Sequence, residues 1–186
     1  MDFVFLKDFL SDYSLPTLII SSIVAIISLV LDKFLSEKLP VGMKNYIPFG
    51  LAIIAYFIYD MIFVCFAFSF RTEAIGAGIL CGSLSTIVVS IAGKIKKGEP
   101  IPLNATTLLI EKLLEDYVSK ESAIATALII EELIESSNKE KGDSLTKLEI
   151  YEALKKQSEI NLSDQQYYYI AGLILSSVKE LNKNKV

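Results

Sequence analysis

Three apolar stretches fill most of the first hundred residues and decide what this chain can become. Residues 15–31 hold no charge, and their only polar side chains are Ser and Thr. That is the lower limit of the roughly 17–25 residues a helix needs to cross about 30 Å of hydrocarbon. Pro16 suits a first helical turn, and the helical pattern extends through Asp32, Lys33, Phe34 and Leu35 as an amphipathic end until Pro40 and Gly42 break it. Residues 47–70 form the second stretch, opened by Pro48, with Tyr46, Phe49, Phe68 and Phe70 placed as interfacial aromatics. Asp60 is its one charge. Residues 74–93 form the third, rich in Gly, Ala, Ser and Thr and stopped by Lys94, Lys96 and Lys97. The 71–73 link, with Arg71 and Glu73, is so short that spans two and three are predicted to form a tight antiparallel hairpin centred near Thr72.

A soluble core is a poor home for this much apolar surface. Hydrophobic residues make up 52% of the chain and the mean hydropathy is +0.48, above what an average globular domain carries. Charge is unevenly spread: residues 1–98 hold eight Lys/Arg against seven Asp/Glu, and residues 99–186 hold ten against fifteen. The expected fold is all-α, a three-span transmembrane helical domain followed by a small cytoplasmic helical bundle. Its parts are an extracytoplasmic interfacial segment (1–14), a transmembrane domain (15–97, spans about 15–35, 47–70 and 74–93), a linker (98–103), an acidic four-helix bundle (104–182) and a tail (183–186).

Lysine placement gives the expected orientation. Lys33, Lys38 and Lys44 lie between spans one and two, and three lysines follow span three, whereas Lys7 and Arg71 lie on the other side. The positive-inside rule then puts the N-terminus outside a cell (plasma) membrane and the C-terminus in the cytoplasm. The start, with Asp2, Asp8 and Asp12 against Lys7, lacks the basic region of a cleaved signal peptide. Phe3, Leu6, Phe9, Leu10 and Tyr13 recur at helical spacing, as in an interfacial helix.

Beyond the spans, the stiff Gly98-Glu99-Pro100-Ile101-Pro102 run marks a break, and Asn104 is placed to cap a helix carrying Leu108, Leu109, Leu113 and Leu114. Ser119 is placed to cap a second helix with Ile124, Leu128, Ile129 and Leu133 on its apolar face. Thr146 with Glu149, and Ser163 with Gln166, have capping-box spacing ahead of two more helices. Glu131, Glu132 and Glu135 group on the second helix as a solvated face or a basic partner's contact. Tyr167, Tyr168 and Tyr169 are successive, so they cannot share one face and at least one ring is predicted to be exposed. A net charge of minus five on this half argues against nucleic acid as a partner.

With no His in the chain, imidazole acid–base catalysis, Ser-His-Asp triads and His-containing zinc sites drop out. Cys65 and Cys81 lie in apolar stretches without metal-ligand spacing. Tyr59-Asp60 and Gly76-Ala77-Gly78 resemble the paired motifs of intramembrane aspartyl proteases, but Ile79 stands where the second acid belongs, and one carboxylate cannot serve as a dyad. The expectation is a protein that is not an enzyme and uses no cofactor or metal.

Asp60 is therefore the candidate functional residue, because an intramembrane carboxylate is costly and seeks a protein interior or water. With the hairpin centred near Thr72, Asp60 comes level with Leu84 and hence with Ser83 and Ser85. Ser83, Thr86 and Ser90 recur at i, i+3 and i+7, a polar strip that in one reading lines a water-filled path through a homo-oligomeric pore or channel gated or assembled through the helical half. In the other reading Ala74, Gly78 and Gly82 are a close-packing ladder, and the chain is a non-conducting anchor or adaptor presenting residues 104–182 to a cytosolic protein. Three short spans, N-out and C-in, also resemble the topology of some phage holins, which would imply a lysis pore. The expected partners are the lipid bilayer, further copies of the chain and that cytosolic protein.

Overall fold

A computed structural model describes residues 13–35, 39, 43–65, 72–102, 104–140, 142–157 and 162–183. The expected interfacial helix before Tyr13, the Pro40 and Gly42 break, Phe68, Phe70, Arg71 and the last tail residues lie outside them. Every element of regular structure among the described residues is helical: α1 (Leu15–Leu35), a 3-10 turn (Met43–Tyr46), α2 (Ile47–Tyr59) continuing as a π-helical segment (Asp60–Cys65), α3 (Thr72–Lys97), α4 (Ala105–Leu114), α5 (Lys120–Glu140), α6 (Asp143–Gln157) and α7 (Asp164–Lys183). Three of them, α1, α2 with its flanks, and α3, are long and apolar enough to cross a membrane.

The spans divide their surfaces by side-chain size. On α1 the small or polar Thr17, Ser21, Ala25 and Ser28 are buried with Ile20 and Val24, while Leu15, Ile19, Ile23, Ile26 and Val30 stay exposed. Small residues let helices approach, and large aliphatics are left for lipid. Ser21 Oγ donates to the Thr17 carbonyl at 2.6 Å and Ser22 Oγ to the Leu18 carbonyl at 2.8 Å, so these hydroxyls cost nothing in an apolar setting. Pro48 opens α2 within its first turn, where its missing N–H breaks no helical bond.

α3 differs from its companions. In its most apolar window 67% of residues are buried, against 33% in α1 and 22% in α2. Gly78 and Gly82 face α2, Cys81 and Ser85 face α1, and Leu80, Leu84, Ile87 and Ile91 join one hydrophobic cluster with Leu108 and Leu113 of α4 and Ile174, Val178 and Leu181 of α7. Two contacts bracket that third face. Gly76 lies against the Glu180 carboxylate of α7, and Lys94 pairs with Glu111 of α4. From Gly76 to Lys94 the helix rises about 27 Å at 1.5 Å per residue, nearly the thickness of the hydrocarbon layer. The helical half thus lies along span three and shares its core.

Local chemistry explains how the chain folds back. Gly98 takes φ +69, its N–H donates to the Ile95 carbonyl at 3.1 Å, and the Glu99 N–H donates to the Lys94 carbonyl at 2.9 Å. This is a Schellman ending, which needs a left-handed residue that only glycine adopts freely. Asn104 then caps α4, accepting from the Thr106 N–H at 2.9 Å. Asn104→Ala is expected to lower stability by about 1 kcal/mol in thermal unfolding.

Around α4 the second half closes as a small bundle, and the structure corrects two expectations. The face of α5 turned inward is Ala123, Ala127, Ile130 and Ile134, whereas Leu128 and Ile129 are exposed; small residues let α4 approach, and that outweighs the larger aliphatics. α6 starts at Asp143, so Thr146 is no cap: it sits buried inside the helix, with Oγ1 donating to the Gly142 carbonyl. The second capping box forms as expected, with Ser163 N–H donating to Gln166 Oε1 at 2.9 Å and Gln166 N–H to Ser163 Oγ at 3.3 Å. Tyr167 is buried, while Tyr168 and Tyr169 are exposed.

Candidate functional site

Asp60 is buried, at 8% exposure, so its carboxyl does not face lipid. Its level along the hairpin is not the expected one. Gly78 lies against Ile53 and Gly82 against Phe49, four residues back on one helix for four forward on the other. Continuing that count carries Asp60 toward the start of α3 and away from Leu84. Ser83 lies eleven residues into α3 from Thr72, about 16 Å of axial rise. This register sets Asp60 nearer the start of α3 than Ser83 and Ser85, which differs from the level expected with Leu84. At Asp60 the backbone changes from α to π, a rare helical geometry found mostly as a short bulge within an α-helix.

The polar strip is enclosed and largely spent on its own helix. Ser83 Oγ donates to the Ile79 carbonyl at 2.8 Å, Thr86 Oγ1 to the Gly82 carbonyl at 2.8 Å, and Ser85 Oγ reaches both the Cys81 carbonyl at 2.7 Å and the Ser21 carbonyl of α1 at 2.8 Å. All three are buried, as is Ser90 at the far end. Such back-bonded hydroxyls are satisfied without water. Ala74, Gly78 and Gly82 do line close approaches or buried positions: a Cβ on Gly78 would fall 2.7 Å from the Ile53 Cα, and one on Gly82 would fall 2.8 Å from the Phe49 Cα. Ala74 is buried.

A second constellation lies where α3 ends, in a cleft of about 570 Å³ lined by residues of α1, α3, α4 and the start of α5 and the turns beside them. Lys94 Nζ donates to Glu111 Oε1 at 2.7 Å, with both side chains more than nine-tenths buried, and Glu111 Oε2 has no hydrogen-bond partner. Asp116 accepts from Asn45 at 2.9 Å and pairs with Lys44 at 3.2 Å, tying the start of span two to the end of α4. Glu131 accepts from Asn104 and, at 3.0 Å, from Thr107, so it seals α4 onto α5 and is not part of an open acidic face. Sequence reading passed over the Lys94–Glu111 pair. The signal was present: Glu111 interrupts the apolar run from Leu108 to Leu114, and a lone acid there needs a cation brought from elsewhere.

Around this buried pair the outer charges are conventional. Lys120 lies 2.7 Å from Glu99, and their hydrogen bond holds the carboxyl below its ordinary range and the ammonium above its own. The sign follows: Glu99's contribution is present above the ordinary carboxylate pKa and lost as pH falls through its lowered value, and Lys120's is lost as pH rises through its raised one. The pair is solvent-exposed, so Lys120→Gln is expected to shift the thermal midpoint only slightly at neutral pH, with the difference vanishing in high salt. Among the described residues no group of three His, Cys, Asp or Glu is placed to hold a metal ion.

What this arrangement does chemically is fasten helices and enclose polar groups. No family model, no curated protein and no solved structure matches the chain, so its function has to be argued from this geometry.

Proposed function

We propose that the chain is a non-conducting membrane anchor that presents its helical half to a protein partner, an adaptor and not an enzyme. The observation that carries this reading is the enclosure of α3: its hydroxyls are bonded back to carbonyls and its faces are occupied by α1, α2, α4 and α7. A pore-lining strip needs a face turned to water or to another copy, and the pore reading also drew on a carboxylate beside Ser83 and Ser85. The lipid-facing role falls to α1 and α2, whose exposed side chains include Ile23, Ile26, Ile54, Ile58 and Phe63. In the proposed orientation the N-terminus lies outside a plasma membrane and the partner is cytosolic. Apolar and aromatic contacts for that partner are available on each outer helix of the second half: Leu128 and Ile129 on α5, Leu145 and Leu148 on α6, and Tyr168 and Tyr169 on α7.

Purified full-length protein in planar bilayers is expected to show no conductance above the lipid baseline. A conductance that Ser83→Leu alters would overturn the anchor reading in favour of a homo-oligomeric channel. Sizing of the detergent-solubilised protein gives a second check, because a monomer removes the pore outright.

A further inference from the structure

One side of α3 runs out of partners near its end. Ser90, Gly93, Lys94 and Lys97 follow one another at i, i+3, i+4 and i+7, so they share a face of the helix, and all four line the cleft of about 570 Å³. Ser83, Ser85 and Thr86 return their hydroxyls to carbonyls of their own helix. Among the described residues no such bond holds Ser90, although it is more than nine-tenths buried. Beside it a Cβ on Gly93 would meet nothing within 4 Å, so the wall is open there. The cleft carries six lysines against five acids. Lys44, Lys94, Lys112 and Lys120 each pair with one of those acids, and Asp32, the fifth acid, has Lys44 as an electrostatic neighbour. Lys96 and Lys97 remain, both exposed and, among the described residues, outside any ion pair. The surplus is one positive charge.

The cleft also sits where the spans end. It gathers Leu29 and Asp32 near the end of span one, Lys44 at the start of span two and the last residues of span three, so the three lysine-bearing span ends meet there. Leu29 is one of the large aliphatics that α1 leaves exposed to lipid, and Val89 continues the apolar lining on α3. An apolar floor, a buried hydroxyl and unspent ammonium groups above it together complement the phosphodiester of an anionic phospholipid. We infer that the cleft holds the headgroup of one such lipid, its phosphate between Ser90 Oγ and the ammonium groups of Lys96 and Lys97, its first acyl carbons beside Leu29 and Val89. Helical side chains tilt toward the N-terminus, which directs the Lys97 stem back over Gly93 toward Ser90. About 10 Å of rise separates those two residues, a gap that a lysine stem and a phosphate span together. The single charge of the diester cancels the surplus, and Glu111 in the same wall is already met by Lys94. Because α4 and α5 complete the cleft, the lipid touches both halves of the chain and fastens one to the other. The proposal rests on the membrane-anchor reading and gives that anchor a lipid preference.

Native mass spectrometry of the full-length protein released from detergent counts bound lipid in titrations with dioleoylphosphatidylglycerol and with dioleoylphosphatidylcholine. The expected result is one phosphatidylglycerol per chain, held at least about tenfold more tightly than phosphatidylcholine. Lys96→Gln/Lys97→Gln is expected to weaken it roughly thirtyfold, and Ser90→Ala severalfold. Gly93→Phe fills the cleft where a side chain meets nothing and is expected to abolish binding. Lys33→Gln/Lys156→Gln removes the same charge from exposed positions that do not line the cleft, and it is expected to bind as the wild type does. Equal retention of the two lipids would overturn the proposal, as would a Gly93→Phe chain of native circular dichroism that still holds phosphatidylglycerol. Inorganic phosphate and glycerol 3-phosphate, titrated calorimetrically, are expected to bind far more weakly than the lipid; equal affinity would make this a site for a soluble phosphate, and the lipid assignment would fall. Alkaline extraction from phosphatidylcholine vesicles tests the anchor separately. A chain that stays inserted yet shows no preference for phosphatidylglycerol refutes this proposal and leaves the anchor reading standing.

Discussion

Gly82→Val and Gly78→Val should each loosen or break the hairpin of spans two and three, whereas Gly93→Ala should leave the protein as stable or slightly more so. The contrast follows from what a side chain would meet. At Gly78 and Gly82 the first added carbon falls within 2.9 Å of both backbone and side-chain atoms of Ile53 and Phe49, and backbone cannot rotate away as a side chain can. The helices must then separate along their whole contact, losing dispersion attraction that holds only at close range. Overpacking of this kind costs about 1–3 kcal/mol and occasionally more, and in a membrane no solvophobic force between helices offsets it. Gly76 is an intermediate case, because its Cβ would meet the Glu180 carboxylate at 3.1 Å, the far end of a flexible side chain. Gly93 has nothing within 4 Å, and removing a mid-helix glycine is favourable by about 0.8–1 kcal/mol in an exposed helix. Unfolding in mixed detergent with increasing SDS, followed by circular dichroism, ranks the four. If Gly82→Val unfolds with Gly93→Ala, the close approach of α2 and α3 is wrong.

The spans were legible because their signal is compositional: a run of apolar residues longer than a soluble helix needs, stopped by lysines, has few other solutions. Caps were legible where the polar residue stands outside the helix, as at Asn104 and Ser163. Thr146 failed because a capping-box spacing is only four letters long, and Gly142 with Asp143 supplied an earlier start. The hairpin register was misjudged for a related reason. Counting outward from Thr72 paired Asp60 with Leu84, whereas Gly78 meets Ile53 and Gly82 meets Phe49; a shift of that size moves Asp60 by several turns relative to α3. Sequence composition also hid the contact between the two halves, since an apolar stripe on α3 looks the same whether lipid or α7 covers it. Glu111 was the clue, as its charge cannot be left facing oil.

Lys94→Met and Glu111→Leu, made singly, should each destabilise the docked structure by about 3–5 kcal/mol, and the double variant should recover most or all of that loss. The two side chains are 8% and 9% exposed and meet at 2.7 Å, so removing either leaves an uncompensated, largely buried charge at the cleft wall. Removing both leaves apolar groups of similar reach beside Ile87, Ile91 and Leu108, which already belong to one cluster. The pair is also incompletely satisfied, because Glu111 Oε2 has no hydrogen-bond partner, and an ion pair with an idle oxygen repays less of its desolvation cost than a fully bonded one. The double variant can therefore exceed the wild type. Thermal unfolding of the full-length protein in detergent measures all four members of the cycle, and the coupling is the part of the double-variant change that the single changes do not add up to. Additive, small effects would mean that water reaches Lys94 and Glu111 and that the halves are held by apolar contact alone. A large coupling with a stable double variant would mean that the pair sets which face of α4 meets span three, and that its charge, more than its energy, specifies the docked arrangement.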